Sequence, residues 1–155
     1  MAEIPVEEHL CTRIRRTEQA LMAHHEAVLR GYGLTMTQYT VLLTLSREPG
    51  GLSGAQLARA CGVTQQTMAQ VLTGLQNKGL IRRENSPVHA KVLIASLTEA
   101  GGDLLDRAYQ EVIVLERALS AAFTPAEHTA LCDLLERARS VLTEQTHQAA
   151  ERKET

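Results

Sequence analysis

Apolar and small residues near the start of the chain recur at helical spacing. Leu10, Ile14, Thr17, Leu21, His24 and Val28 step alternately by four and three, a seam suited to packing one helix against another, from Val6 to about Arg30. Gly31 and Gly33 stop it. A second helix is predicted from Thr35, because Thr35 and Gln38 have the spacing in which each side chain satisfies the other's backbone donor. It carries Leu42, Leu43 and Leu45 and ends at Glu48-Pro49-Gly50-Gly51.

The same cap spacing recurs at Ser53 and Gln56, opening the short helix GAQLARAC that Gly62 closes. Thr64 caps the next helix, whose Met68, Val71, Leu72 and Leu75 share one apolar face. Two short helices meeting at a glycine turn are the helix-turn-helix pattern. Leu80 to Glu84 and Val92 to Leu97 read as the two strands of a hairpin around Asn85-Ser86-Pro87. After Thr98 a long helix runs through Leu104, Leu105, Ala108, Tyr109, Val112, Leu115 and Leu119 to Phe123. Thr124-Pro125-Ala126-Glu127 then supplies a cap, an N1 proline and a glutamate at N3 for a last helix, with fraying expected over QAAERKET.

Composition agrees with a mainly α fold. The 155 residues are 44% hydrophobic but only 3% aromatic, with no tryptophan, so the core must come from Leu, Val, Ile and Ala. A chain of this length is expected to fold without staples, and its three cysteines form no CxxC. No run of about eighteen apolar residues exists, and the N-terminal MAEIPVEEHL is acidic rather than basic and then apolar. A soluble, cytoplasmic protein with no membrane partner is the expectation. The formal charge is −2, unevenly spread: Ser53 to Thr98 carries +4, from Arg59, Lys78, Arg82, Arg83 and Lys91 against Glu84, and the rest carries −6. A basic middle between acidic ends is an electrostatic footprint for phosphate.

The order of these elements, with LTMTQYTVLLTL, GAQLARACGVTQQTMAQVLTGLQNKGLIRRE and IASLTEAG as the carrying stretches, resembles the MarR family of bacterial transcription regulators over nearly the whole chain. The resemblance implies a winged helix-turn-helix with a small β-hairpin wing and N- and C-terminal dimerisation helices. Residues 1–155 form one chain of this kind, with the DNA-binding region at 35–98 and dimerisation helices at 6–31 and 99–147. It also implies a homodimer on a palindromic operator in double-stranded DNA, modulated by small molecules, oxidants or metals.

Opposite the apolar face of the recognition helix lie Gln65, Gln66, Thr67, Gln70 and Thr73. Glutamine pairs in bidentate fashion with adenine, and threonine meets a thymine methyl or a phosphate, so Thr64, Gln65, Gln66, Thr67 and Gln70 are the candidate readers. Ser53, Lys78, Arg82, Arg83, His89 and Lys91 are the candidate backbone contacts. Two departures from the family stand out. Where members often carry Asp-Arg late in the recognition helix, this chain has Thr73-Gly74, and the Asp-x-Arg of the wing falls on His89-x-Lys91. A lysine without an orienting acid neutralises phosphate but lacks the planar fork of arginine.

Candidates for sensing are sparser. Cys11 stands where the family's organic-hydroperoxide sensors keep their reactive cysteine, but Arg15, His25 and Met36 occupy the positions where those sensors commonly have tyrosines. The resemblance places a small-effector pocket where end helices meet the winged region, with His24, His25, Tyr32 and Tyr39 as candidate linings. His128 and Cys132 share a helix face but are too few for a metal site. No cofactor is expected. There is no Gly-rich phosphate loop, nucleophile elbow or carboxylate pair, so an enzyme is not expected. The leading reading is a dimeric repressor modulated by a small effector. Its alternatives are an oxidation-responsive regulator acting through Cys11, and a winged-helix protein-interaction module with weak, non-specific DNA binding.

Overall fold

A computed structural model describes residues 9–86 and 91–152. The element order is α1 (Leu10–Arg30), α2 (Met36–Ser46), β1 (Leu52–Ser53), α3 (Gly54–Cys61), α4 (Gln65–Asn77), β2 (Ile81–Asn85), β3 (Leu93–Leu97), α5 (Glu99–Ala121) and α6 (Pro125–Glu151). The protein is a winged helix: a helix-turn-helix followed by a β-hairpin, with long helices before and after.

The caps legible in the sequence form as hydrogen bonds. Thr35 and Gln38, Ser53 and Gln56, and Thr124 and Glu127 each make a reciprocal capping box, and Thr64 Oγ accepts the Thr67 N–H. Each interrupts an apolar pattern that would otherwise run on, which is why the helices divide there. Both hairpin strands begin one residue later than the apolar run suggested. Leu80 is buried before β2 begins and its carbonyl accepts the Thr98 N–H, which closes the base of the hairpin.

The sheet has three strands in the order β1-β3-β2, all antiparallel. Strand β1 is only Leu52–Ser53, pairing Leu52 with Ala95 and Ser53 with Ile94. Two residues carry no readable alternation, so the pattern alone did not predict it. In the wing, Arg82 pairs with Ser96, Arg83 with Ala95 and Glu84 with Ile94. The last helix continues through Gln148 to Glu151, so the start of the QAAERKET tail, expected to fray, is helical.

By contact density the chain divides into two compact units, Met1–Val112 and Ile113–Thr155. The first holds the whole core, from Leu29 through Val41, Leu42, Leu57, Met68, Leu72 and Leu75 to Leu105 and Ala108. Of the long seam on α1 only its neighbour Leu29 is buried; Leu10, Leu21 and His24 are exposed. No described residue of the second unit is buried, and Leu134, Leu135, Val141 and Leu142 are each about half exposed.

Candidate nucleic-acid interface

Ser53 is the N-cap of α3. Its Oγ accepts the Gln56 N–H at 3.3 Å, while Gln56 Oε1 accepts the Ser53 N–H at 2.9 Å and the Ser53 hydroxyl at 2.8 Å. Gly62 ends α3 with φ 64°, letting the Val63 N–H reach back to Ala58 O at 3.0 Å. A residue with a Cβ would pay about 1–2 kcal/mol for that conformation. The chain thereby reverses within three residues, and Thr64 starts α4.

Helix α4 is held by Met68, Leu72 and Leu75, each 0–1% exposed. That anchorage decides what the other face shows: Gln65, Gln66, Thr67 and Gln70 are all exposed. Three consecutive polar residues at the start of the helix, with a further glutamine one turn on, are the side chains that first meet anything the helix is inserted into. Thr67 is partly committed, its hydroxyl lying 2.9 Å from that of its cap Thr64. Thr73 is back-bonded to Ala69 O.

The other end of α4 is tied into the fold. Lys78 Nζ donates to Gly33 O at 2.6 Å and to Gln38 Oε1 at 3.0 Å, bridging the C-cap of α4 to the turn between α1 and α2 and to the α2 capping box. A Cβ on Gly74 would stand 3.2 Å from Gln38 Nε2, so the glycine that replaces the family's charged residue is where α4 approaches the same side chain. Sequence reasoning grouped Lys78 with the DNA-facing cations; two of its three N–H donors are used internally.

In the wing, Arg82 and Glu84 lie on one face of β2, and Arg82 Nε is 3.1 Å from Ser96 Oγ and 3.5 Å from Glu84 Oε1. Arg82 is thus oriented by a carboxylate two residues on, at the base of the wing rather than its tip. Arg83 is half-buried on the opposite face, and Lys91 is exposed. His89 lies outside the described residues.

Comparison with known proteins supplies the family. A model of the MarR family matches residues 32–91. An HTH-type transcriptional repressor of Mycobacterium tuberculosis is 34% identical over 122 residues, covering 79% of this chain and 87% of that one. The chain belongs to the MarR family. The fold agrees: the MepR–DNA complex of Staphylococcus aureus superposes with a TM-score of 0.80 at 20% identity, over 86% of this chain and 98% of that one. BpsR of Bordetella bronchiseptica, whose DNA binding is regulated by 6-hydroxynicotinic acid, gives 0.78 at 22% identity, over 89% and 98%. Like its relatives, this MarR-family protein is a DNA-binding transcription regulator and not an enzyme.

The four residues expected to line an effector pocket, His24, His25, Tyr32 and Tyr39, differ in burial. Tyr39 is 3% exposed in the core, where burial first, and then nearby Tyr109, raise its phenol above the ordinary value. The His24 and His25 rings are 6.1 Å apart at 64°, with His24 exposed and His25 half-buried. His25 Nδ1 is buried without a hydrogen-bond partner, and burial, then His24, lower its pKa. Tyr32 packs at the edge of the core. A cavity of the first unit runs along Arg30, Leu34, Met36, Gln38 and Lys78, residues that sequence reasoning did not connect because they come from three separate segments.

Cys11 and Cys132 are exposed. The half-buried Cys61 thiol is pushed up by burial, against a hydrogen bond with Thr44. His128 Nδ1 lies 3.9 Å from Cys132 Sγ, and among the described residues no group of three or more His, Cys, Asp or Glu side chains is arranged to hold a metal. No helix among the described residues is long and apolar enough to cross a membrane.

Proposed function

We propose that this protein is a homodimeric, cytoplasmic repressor that reads a palindromic operator with the N-terminal half of α4 and is released from it by a small effector. The observation that carries this is the division of α4 into a buried face of Met68, Leu72 and Leu75 and an exposed face of Gln65, Gln66, Thr67 and Gln70. Glutamine amides offer a donor and an acceptor together, the pair that adenine presents in the major groove. Lys91 and Arg83 neutralise phosphate beside the groove, and Ser53 presents the start of α3 to the backbone.

Pairing with a second copy follows from the apolar surface of the second unit, where Val114, Leu134, Leu135, Val141 and Leu142 are 48–58% exposed. Covering such surface with its own copy supplies the pair of α4 helices that two half-sites about 34–36 Å apart, one turn of duplex DNA, require. The repressor activity named for the mycobacterial relative, and the regulation of BpsR by a small acid, support the same reading.

The test is a binding titration of the purified protein against its own promoter region and against random duplex at physiological salt. Binding the promoter tightly, with protection of two half-sites one helical turn apart, is expected. Equal binding of both duplexes removes the specific-operator reading and leaves a winged-helix interaction module.

A further inference from the structure

The face that α4 turns outward is fixed by two kinds of contact. Met68, Leu72 and Leu75 bury one side of the helix, and apolar contact, being non-directional, constrains its depth more than its tilt. Directional bonds set the rest. Thr67 and Thr73 spend their hydroxyls within α4 and its cap, on Thr64 Oγ1 and Ala69 O. Lys78 spends its ammonium outside the helix: Nζ donates at 2.6 Å to Gly33 O and at 3.0 Å to Gln38 Oε1, acceptors 45 and 40 positions earlier in the chain.

Both acceptors are themselves held. Gly33 sits in the turn between α1 and α2, and the N–H of its neighbour Leu34 reaches back to the O of fully buried Leu29 at 3.0 Å. Gln38 Oε1 also accepts the Thr35 N–H at 3.2 Å, while the Gln38 N–H donates to Thr35 Oγ1 at 3.2 Å, so the capping box of α2 fixes the carboxamide that Lys78 meets. Helix α4 approaches it this closely because position 74 has no Cβ; one would lie 3.2 Å from Gln38 Nε2. On the other side, the Lys78 N–H donates to Gly74 O at 3.2 Å, which makes the root of this side chain part of the helix end.

We propose that Lys78 is a positioning residue for base reading: its ammonium, clamped between Gly33 O and Gln38 Oε1, sets the tilt of α4 and so the placement of Gln65, Gln66 and Gln70 toward the far end of the helix. The 13 residues of α4 span about 20 Å and tilt as one rod, so freedom at Lys78 is carried to Gln65. A binding constellation tolerates displacement of only about 0.5 Å, whereas a flexible ammonium on a phosphate adjusts to its target. Losing the clamp therefore weakens reading of the right sequence more than it weakens attachment to any sequence. A cation in direct contact with phosphate does the opposite, contributing alike on every duplex and adding about one unit to the salt slope. The inference rests on α4 as the reading helix only for its consequence on DNA.

The test uses the full chain, first without DNA and then with duplexes of its own promoter region and of random sequence. In the free protein, Lys78→Met is expected to shift the backbone amide resonances of Gln65 to Gln70 as well as those of Gly33 to Gln38. Changes confined to Gly33 to Gln38 and the last turn of α4 make the bonds local and overturn the proposal. On DNA, Lys78→Met is expected to lower the preference for promoter over random duplex by about fivefold or more, the lower end of what one mismatched base pair costs, with the salt slope of either duplex unchanged. Lys78→Arg should restore part of that preference. In a Gln66→Ala background the loss should shrink, because both changes act on one contact. Equal weakening of both duplexes with a shallower slope, or full additivity with Gln66→Ala, makes Lys78 a phosphate contact and overturns the proposal. Lys78 is exposed, so each variant should fold, and each is assayed at a temperature where it is fully folded. Wild-type protein that binds both duplexes equally removes the operator reading and leaves the amide shifts of the free protein to decide the clamp.

Discussion

Gly74 of α4 faces the carboxamide of Gln38 so closely that an added Cβ would lie 3.2 Å from Nε2. Gln38 has little room to yield, because its Oε1 accepts from both the Thr35 N–H and Lys78 Nζ. Gly74→Ala should therefore forfeit the roughly 1 kcal/mol that alanine ordinarily adds within a helix, and lower the denaturation midpoint instead. In a Gln38→Ala background the same substitution should become stabilising. Stabilisation of the wild-type background by Gly74→Ala would show that Gln38 is not held.

Gly101 carries a stronger constraint. A Cβ there would lie 2.0 Å from Leu80 O and 3.2 Å from Leu97 Cδ2, and the first of these is backbone. Gly101→Ala must move α5 away from the start of the hairpin, at a cost of about 3 kcal/mol or more, the upper part of the range for overpacking. Urea titration of the variant measures it. A midpoint within error of wild type would mean that α5 shifts freely.

Base reading and phosphate contact separate by experiment. Gln66→Ala should change the ranking of operator variants, each altered base costing about 1–3 kcal/mol in the wild type and less at one position in the mutant. Lys91→Ala should weaken all duplexes alike and make the salt slope shallower by about one unit. The reverse assignment would exchange the roles given to helix and wing.

Acidification should destabilise the fold through His25. Burial, then His24, hold its pKa below the ordinary 6.5, so below that pH the unfolded chain takes up a proton that the folded chain resists. The stability is fully present above about pH 6.5 and is lost as pH falls through the window down to the lowered value. His25→Gln should flatten the dependence of the urea midpoint on pH across that window. An unchanged slope would assign the acid sensitivity to other groups.

Thiol reactivity should follow exposure. Cys11 and Cys132 are open to solvent, whereas burial raises the Cys61 thiol, so a maleimide at neutral pH should label Cys61 last. If peroxide abolishes operator binding, Cys11→Ser tests the oxidation-responsive alternative directly; sensitivity that survives the substitution removes Cys11 as the sensor.

The helical plan was legible because its signals are local. A capping box needs two residues three apart, and an apolar face needs a period, so Thr35-Gln38, Ser53-Gln56 and Thr124-Glu127 announced their helices and Met68, Leu72 and Leu75 their buried side. The exposed polar face of α4 followed by subtraction from that side. Strand β1, the joining of Gly33, Gln38, Gly74 and Lys78, and the cavity beside Arg30 required the tertiary structure. Each depends on residues about 40 positions apart meeting within a few ångströms, as Lys78 and Gly33 do. Such meetings are set by how α1, α2 and α4 pack, and no periodicity encodes them. The same reason put Tyr39 in the core and gave Lys78 its hydrogen bonds to Gly33 O and Gln38 Oε1: one-dimensional pattern assigns a residue to a face, and packing decides what that face meets.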